Sequence, residues 1–370
     1  MSLPAWPLGL ARWADLLGRD LQRAARAAGG PAALWSADPE ALARLLCVDG
    51  GRAEALVGVR AHLDAVGELA RLRAAGIFHV GRPERVFPAR LAEIHDPPFG
   101  LFLRGDPGAL ARMAEAPTIA VVGSRRATTA GLAFARTLAH DLAERGAVVV
   151  SGLAAGIDAA AHEGALDAGG VTIAVLGTGV DVVYPRRNRS LTERVLAEGG
   201  LLASEHWPGT PPAPWRFPAR NRIVCGLSEA VVVVEAGRRS GALITADFAL
   251  EAGRPVLAVP GPPVAESSAG CNGLIRAGAA LCEGAEDVVA ELPRAAWAPA
   301  RPAGPVPPAG LAGRIYEHLL QEPLRIDQIA TRLGAEPAAV AAALARLEID
   351  GLALRGEGQC FWAAPRRGAA

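Results

Sequence analysis

Six short apolar runs recur along the middle of the sequence, at residues 118–122, 147–151, 172–176, 200–204, 230–234 and 255–259, their starts 29, 25, 28, 30 and 25 residues apart. Each is apolar throughout rather than alternating, which is what a strand covered on both faces requires. Most intervals hold an amphipathic helical pattern, such as Leu132, Ala135, Leu138, Ala139 and Leu142. Strand and helix alternating at this period predict an α/β protein with a parallel, doubly wound sheet.

The flanks read differently. Residues 5–75 carry Ala, Leu and Arg at helical spacing, broken at Gly29-Gly30-Pro31 and Gly50-Gly51, so residues 1–75 are expected to form a small helical domain. From 77 to 106, Pro83, Pro88, Pro97 and Pro98 prevent long helices. We read 76–116 as an ordered connector belonging to a core domain of residues 76–292. A Pro- and Ala-rich stretch, 293–310, reads as a semi-extended linker. Beyond it, helices over 311–321, 325–333 and 337–350 and a hairpin of 352–355 with 359–363, turning at Gly356-Glu357-Gly358, predict a winged helix spanning 311–365. Leu333-Gly334 would be the turn of its helix-turn-helix.

The chain has 370 residues, with 38 basic and 38 acidic side chains cancelling. Every basic residue is Arg and none is Lys, which excludes Schiff-base and P-loop lysine chemistry. Phosphate contacts must come from Arg or from backbone. Cys47, Cys225, Cys271, Cys282 and Cys360 are odd in number and never form C-x-x-C, so neither a disulfide framework nor a metal site is expected, and the thiols read as structural. No signal-peptide pattern and no apolar run of membrane-spanning length is present, so a cytoplasmic protein without a membrane partner is predicted. No cofactor is expected.

In a doubly wound sheet the strand-to-helix turns carry the ligands. After the first run, Gly123-Ser124-Arg125-Arg126 offers a glycine turn with free N–H groups for an anion and an arginine fork. It lacks the G-x-G-x-x-G of a dinucleotide site. After the second, Ser151-Gly152 leads to Gly156, Asp158 and His162, the last two one helical turn apart. A hydrolase triad of Ser151, His162 and Asp158 is conceivable, but the G-x-S-x-G elbow is missing. The plainer reading makes Asp158 a cap and His162 a satisfied buried group, with Gly152, Gly156, Asp158 and His162 as pocket lining. The third turn, Gly177-Thr-Gly179-Val-Asp181 leading to Tyr184-Pro185, reads as pocket lining as well.

The fourth stretch, Trp215-Arg216-Phe217-Pro218-Ala219-Arg220-Asn221-Arg222, is the most suggestive. Arginines for phosphate, an asparagine and aromatic rings for splayed bases suit single-stranded nucleic acid. From 214 to 239 the chain is locally +3, with Arg238 and Arg239 preceding Ser240. A merely solvated, charged loop is the competing reading.

The order Gly123-Ser124-Arg125, then Ser151-Gly152 to Asp158 and His162, then Phe217-Pro218-x-Arg220-Asn221-Arg222, Ser240-Gly241-x3-Thr245-Ala246 and Pro260-Gly261 resembles the DNA-processing protein A family, also called DprA or Smf. Phe87-Pro88, Asp96-Pro97-Pro98, Arg104-Gly105-Asp106 and the stretch from Gly270 and Asn272 to Gly278-Ala279 extend the likeness over about residues 77–290. The resemblance implies an extended Rossmann-like core. It also implies a dimeric, non-enzymatic mediator that binds single-stranded DNA, protects it during natural transformation and loads RecA onto it. Single-strand-binding protein is a further expected partner. Carried over by motif, the DNA-binding residues are Ser124, Arg125, Phe217, Arg220, Asn221, Arg222 and Arg239, and Gly123, Arg216 and Ser240 beside them complete the expected DNA-binding set. Arg239 stands where relatives usually have Lys. Leu274, Ile275 and Leu281 are the expected dimer contacts, with ordinary core packing as the alternative. Relatives often carry a sterile-alpha-motif or helix-hairpin-helix-like pattern at the N-terminus, of which Leu8-Gly9-Leu10 is a remnant.

The competing function is a nucleotide phosphoribohydrolase on a related sheet. Its P-G-G-x-G-T-x-x-E signature is absent at Glu235-Ala-Gly237-Arg-Arg-Ser240-Gly241. The winged helix carries net charge −2 over 311–363, and its would-be recognition helix holds only Arg346 as a base-reading side chain. A protein-contact or structural role is expected for it rather than major-groove reading.

Overall fold

A computed structural model describes residues 4–299, 310–350, 352–356 and 360–363. The chain falls into two compact units, Met1–Ala298 and Pro299–Ala370.

The first unit is built on nine strands: β1 (Ile77–Gly81), β2 (Gly100–Gly105), β3 (Thr118–Val122), β4 (Val148–Ser151), β5 (Thr172–Val175), β6 (Leu201–Ser204), β7 (Ala230–Val233), β8 (Val256–Ala258) and β9 (Ala280–Leu281). Their order is β1-β2-β6-β5-β4-β3-β7-β8-β9. All six apolar runs are strands and all pair in parallel. The apolar character has the expected cause. Ile119 and Val121 of β3 face the helices Thr129–Glu144 and Ile157–Asp167 through Leu138, Leu142 and Ala161, while Ala120 and Val122 face Ile223, Leu227 and Ala246 on the other side. Each such fully buried Leu or Ile contributes roughly 1.5–3 kcal/mol relative to exposure.

Two strands depart from the purely parallel expectation. The stretch read as a connector forms β1 and β2, which pair with each other and join β6 antiparallel. The prolines Pro83, Pro88, Pro97 and Pro98 all fall between these two strands, where they interrupt no ladder. The short β9 closes the opposite edge, parallel to β8.

The N-terminal helices, from Trp6–Leu17 to Ala65–Ala74, are short as their glycines and prolines require. Asp38, Asp49 and Asp64 cap three of them, accepting from Ala41, Arg52 and Gly67 N–H at 2.7–2.9 Å. Leu10, Trp13, Leu34, Leu42 and Leu56 form their own cluster, but Phe99 joins it, and Leu8 and Leu72 pack with Phe102 and Leu202 of the sheet. At the other end, Ala298 N–H donates to the Arg145 carbonyl and Arg145 Nε donates back to Ala298. The first residues of the expected linker are thereby pinned to the sheet unit; residues 300–309 lie outside the described residues.

The second unit has helices Leu311–Leu319, Ile326–Leu333 and Pro337–Ile349 around a core of Ile315, Tyr316, Ile329, Leu344 and Phe361. Gly334 ends the second helix in the left-handed conformation, φ +60°. Three strands, β10 (Leu324–Arg325), β11 (Ala353–Arg355) and β12 (Cys360–Ala363), pair antiparallel in the order β10-β12-β11. The sequence shows only the last two. Glu357 and Gly358 of the hairpin turn, and residues 364–365 of the expected domain, lie outside the described residues. Among the described residues no helix is long and apolar enough to cross a membrane.

Candidate functional site

Counting outward from β3, the parallel strands run β4, β5, β6 to one side and β7, β8, β9 to the other, so their crossovers part between β3 and β7. A ligand crevice is expected beyond the carboxyl ends of strands at such a switch point. A cleft of about 530 Å³ opens there. Its walls are the turn after β3 (Gly123 to Arg126), the turn after β4 (Gly152, Ala154, Asp158), the turn after β7 (Gly237 to Gly241) and one side of the helix Arg216–Leu227.

The Gly123-Ser124-Arg125 turn is fixed from behind. Ser124 N–H donates to Glu235 O at 2.7 Å, its carbonyl accepts from Ile157 N–H at 3.1 Å, and its Oγ accepts from Arg126 N–H at 3.1 Å. The turn is therefore not the open nest of free N–H groups that the sequence suggests, since those of Ser124 and Arg126 are already used. The helix begins later, at Thr129, capped by the Thr128 hydroxyl, whose own proton goes to Glu235 Oε2 at 2.6 Å. Gly156 does not line the cleft; it lets the next loop approach. At φ +86° it lies so close that a Cβ would stand 2.1 Å from Ser124 O.

Arg125, Arg126 and Arg239 are exposed and have no carboxylate partner among the described residues, whereas Arg238 is held loosely by Glu266 at 3.7 Å. Lining arginines outnumber carboxylates five to two. Ser240 caps the helix Gly241–Glu251, accepting from Ala242 N–H at 3.3 Å, so the positive end of that helix also faces the cleft.

The arginines of the segment 216–222 behave differently from the expectation that all meet phosphate. Arg220 lines the floor but is only 4% exposed; it donates to Gly152 O at 2.6 Å and to Val175 O. Burial brings its pKa down to about 10, partly countered by Asp158 beside it. Asp158 in turn accepts from Gly152 and Ala154 N–H, and burial pushes its carboxyl up against the pull of Arg220. Arg220 and Asp158 thus brace the cleft loops rather than present charge. Arg216 and Arg222 lie on the other side of the helix, around a separate cavity of about 210 Å³. Arg222 forks onto Glu205, and Arg216 donates to Pro211 O. Both are structural: the helix that places Phe217, Arg220 and Asn221 on the cleft turns 216 and 222 away from it.

Phe217 reaches the cleft with its ring 5.4 Å from the Arg125 guanidinium and 5.1 Å from the ring of Tyr184, with which it stacks. Asn221 lines the same wall, its Nδ2 on Gly241 O at 3.3 Å. Gly177 sits behind Phe217, where a Cβ would meet its ring at 3.0 Å, and Gly179 is bound to Thr210 O, so neither lines the cleft. His162 is likewise in the wall, fully buried with Nδ1 on Thr172 Oγ1 at 2.7 Å, and burial brings its pKa down to about 3. Ser151 Oγ donates to Val121 O at 2.6 Å. The triad is not assembled. The sequence places Tyr184 only at the end of a pocket-lining turn; its stacking on Phe217 is what the sequence does not show, and its aromatic character beside a glycine turn is the available signal.

Burial pushes the thiols of Cys225 and Cys282 up to about 12 and that of Cys271 up to about 11, leaving them inert. His140, Asp141 and Glu144 bring donor atoms within 4.8 Å of one another on the helix Thr129–Glu144, outside the cleft. Leu274 and Ile275 lie on the helix Ala269–Arg276, half-buried against the core, and Leu281 is 43% exposed on the edge strand β9.

Residues 79–293 match the family DNA recombination-mediator protein A, and residues 298–359 match the DprA winged helix domain. The DNA processing protein DprA of Streptococcus pneumoniae is 46% identical over 205 residues, covering 55% of this chain and 71% of that one. That of Bacillus subtilis is 41% identical over 225 residues, covering 61% and 74%. Against the Mycobacterium tuberculosis relatives, 46% identical over 255 residues, the match takes in 68% of this chain and spans 65% of their length. The X-ray structure of the pneumococcal protein superposes with TM-score 0.56 at 34% identity, covering 78% of this chain and 94% of that one. The DNA processing protein A of Helicobacter pylori, described for its single-stranded DNA binding mode, superposes with TM-score 0.52 at 30% identity, covering 59% and 96%.

Proposed function

The chain belongs to the DNA recombination-mediator protein A family, and from that premise we propose that it binds single-stranded DNA in the cleft at the switch point and acts without catalysing a reaction. The observation that carries this reading is a cleft lined by five arginines against two carboxylates, of which Asp158 is buried and held by backbone N–H groups and Glu266 faces Arg238 at 3.7 Å, leaving Arg125, Arg126 and Arg239 without a carboxylate partner among the described residues. Arg125 and Arg239 neutralise phosphates, and the aromatic wall to which Phe217 belongs, with Asn221, faces the bases, with little sequence preference.

The bound strand is protected from nucleases and handed to RecA, with single-strand-binding protein as a further partner. Two copies associate through the β9 edge, using Leu274, Ile275 and Leu281. The helices of residues 1–75 brace the β1–β2 side of the sheet. The winged helix serves protein contact, because the exposed face of Pro337–Ile349 is mostly alanine and its Arg346 is turned toward Asp350 at 3.9 Å.

The test is fluorescence anisotropy of labelled oligo-dT against its duplex across a salt series, for the wild type and for Arg125→Ala with Arg239→Ala. Salt-sensitive binding that prefers the single strand and is lost in the double variant is the expected result. Equal binding by the variant would place the DNA elsewhere.

A further inference from the structure

We propose that the strand does not end in the cleft but continues over Tyr184 onto the turn of Arg186 and Arg187, with Tyr184 rather than Phe217 as the ring on which a base stacks. This rests on the reading of the cleft as a single-strand site. Phe217 is already covered, by the Arg125 guanidinium at 5.4 Å and by Tyr184 at 5.1 Å with their rings 27° apart. The free ring of the pile is that of Tyr184, which is 41% exposed.

The segment carrying Tyr184 is pre-organised. Thr178 Oγ1 donates to Val182 O at 2.8 Å, Val182 N–H to Gly179 O at 2.9 Å, and Asp181 Oδ1 accepts from Gly209 N–H at 2.7 Å. Just beyond it, the single 3₁₀ turn Arg186–Asn188 is tied to the cleft itself, because Asn188 Nδ2 donates to Leu153 O at 2.9 Å and to Ala154 O at 3.2 Å. Ala154 lines the cleft. Arg186 and Arg187 are exposed and have no ion-pair partner among the described residues, in contrast to Arg189, which faces Glu193 at 3.5 Å. A stacked aromatic pile followed by two free guanidinium groups on an anchored turn is the arrangement that tracks a single strand: a ring for a base, then cations for the next phosphates.

The experiment uses the full chain and two labelled oligo-dT probes, one only long enough to fill the cleft and one longer, each also made with a 2-aminopurine at successive positions. For Arg186→Ala with Arg187→Ala, affinity for the longer probe should fall more than for the short one, and the salt slope should flatten by about 1.4, about 0.7 for each phosphate released. Tyr184→Ala should bind about tenfold more weakly and lose the 2-aminopurine quenching at one position, while Tyr184→Phe, which keeps the ring, restores both. Arg186 and Arg187 are exposed and have no ion-pair partner among the described residues, so thermal unfolding of their double variant should be unchanged, and Tyr184→Phe, which keeps the stack on Phe217, should unfold like the wild type. Wild-type quenching and slope in these variants, with binding still lost in Arg125→Ala, would overturn the proposal and leave the cleft reading standing. A wild type that binds neither probe would overturn the cleft reading and this path together.

Discussion

Arg222 holds Glu205 through two parallel hydrogen bonds of 2.6 Å each, on the side of its helix facing away from the cleft. Burial pushes the Glu205 carboxyl up, and the guanidinium beside it more than compensates, leaving it below the ordinary carboxylate range. The same fork donates from Nε to Asp96 O at 2.8 Å, tying the helix to the segment that precedes β2. In a stretch that looks like a row of phosphate ligands, this arginine is a rivet.

Arg222→Ala should therefore act on stability. It leaves a buried carboxylate without its partner, and breaking such a pair costs about 3–5 kcal/mol. Urea unfolding measures the loss. A variant as stable as the wild type would return Arg222 to the list of DNA contacts.

Arg125→Ala should do the reverse. Its side chain is exposed and makes no ion pair among the described residues, only the ring contact with Phe217, so unfolding should stay within about 0.5 kcal/mol of the wild type. Oligo-dT affinity should drop by roughly tenfold or more, the worth of one charge-assisted contact, with the salt slope smaller by about 0.7. Anisotropy at several salt concentrations separates the two effects.

Gly156→Ala should damage both. The residue sits at φ +86°, and an added Cβ would stand 2.1 Å from Ser124 O. Strain of about 1–3 kcal/mol is expected, and the Ser124-Arg125 backbone must shift to relieve it, so stability and single-strand affinity fall together.

Stability should decline in mild acid because of His162. Its folded pKa of about 3 lies below the ordinary 6.5, so the unfolded chain takes up the proton first. The contribution is intact above pH 6.5 and is lost as pH falls toward 3, by about 1.4 kcal/mol per pH unit. His79, brought down to about 4 by burial, adds to it over a narrower window. Unfolding at pH 7.5, 6 and 5 tests this, and His162→Gln should flatten the slope.

Removing residues 299–370 should leave oligo-dT affinity nearly unchanged, since each unit has its own core and the helix Pro337–Ile349 shows no free cation on its exposed face. A large loss by anisotropy would assign DNA contact to the winged helix.

The parallel core was legible because a strand buried on both faces must be apolar along its whole length, and that constraint is written in consecutive residues such as Val148, Val149 and Val150. The turns after β3, β4 and β7 followed from it, since a doubly wound sheet leaves only one end for ligands. β1 and β2 were hidden by the prolines between them, and β10 by its length of two residues. Which arginine meets solvent and which meets a carboxylate was not legible at all. Arg220 and Arg222 stand two apart in a helix, yet one turns to the carbonyls of Gly152 and Val175 and the other to Glu205, 17 positions away. Sequence states the charge of a side chain; its desolvation and its partner are properties of the packed chain, and those determine whether an arginine is free to bind phosphate.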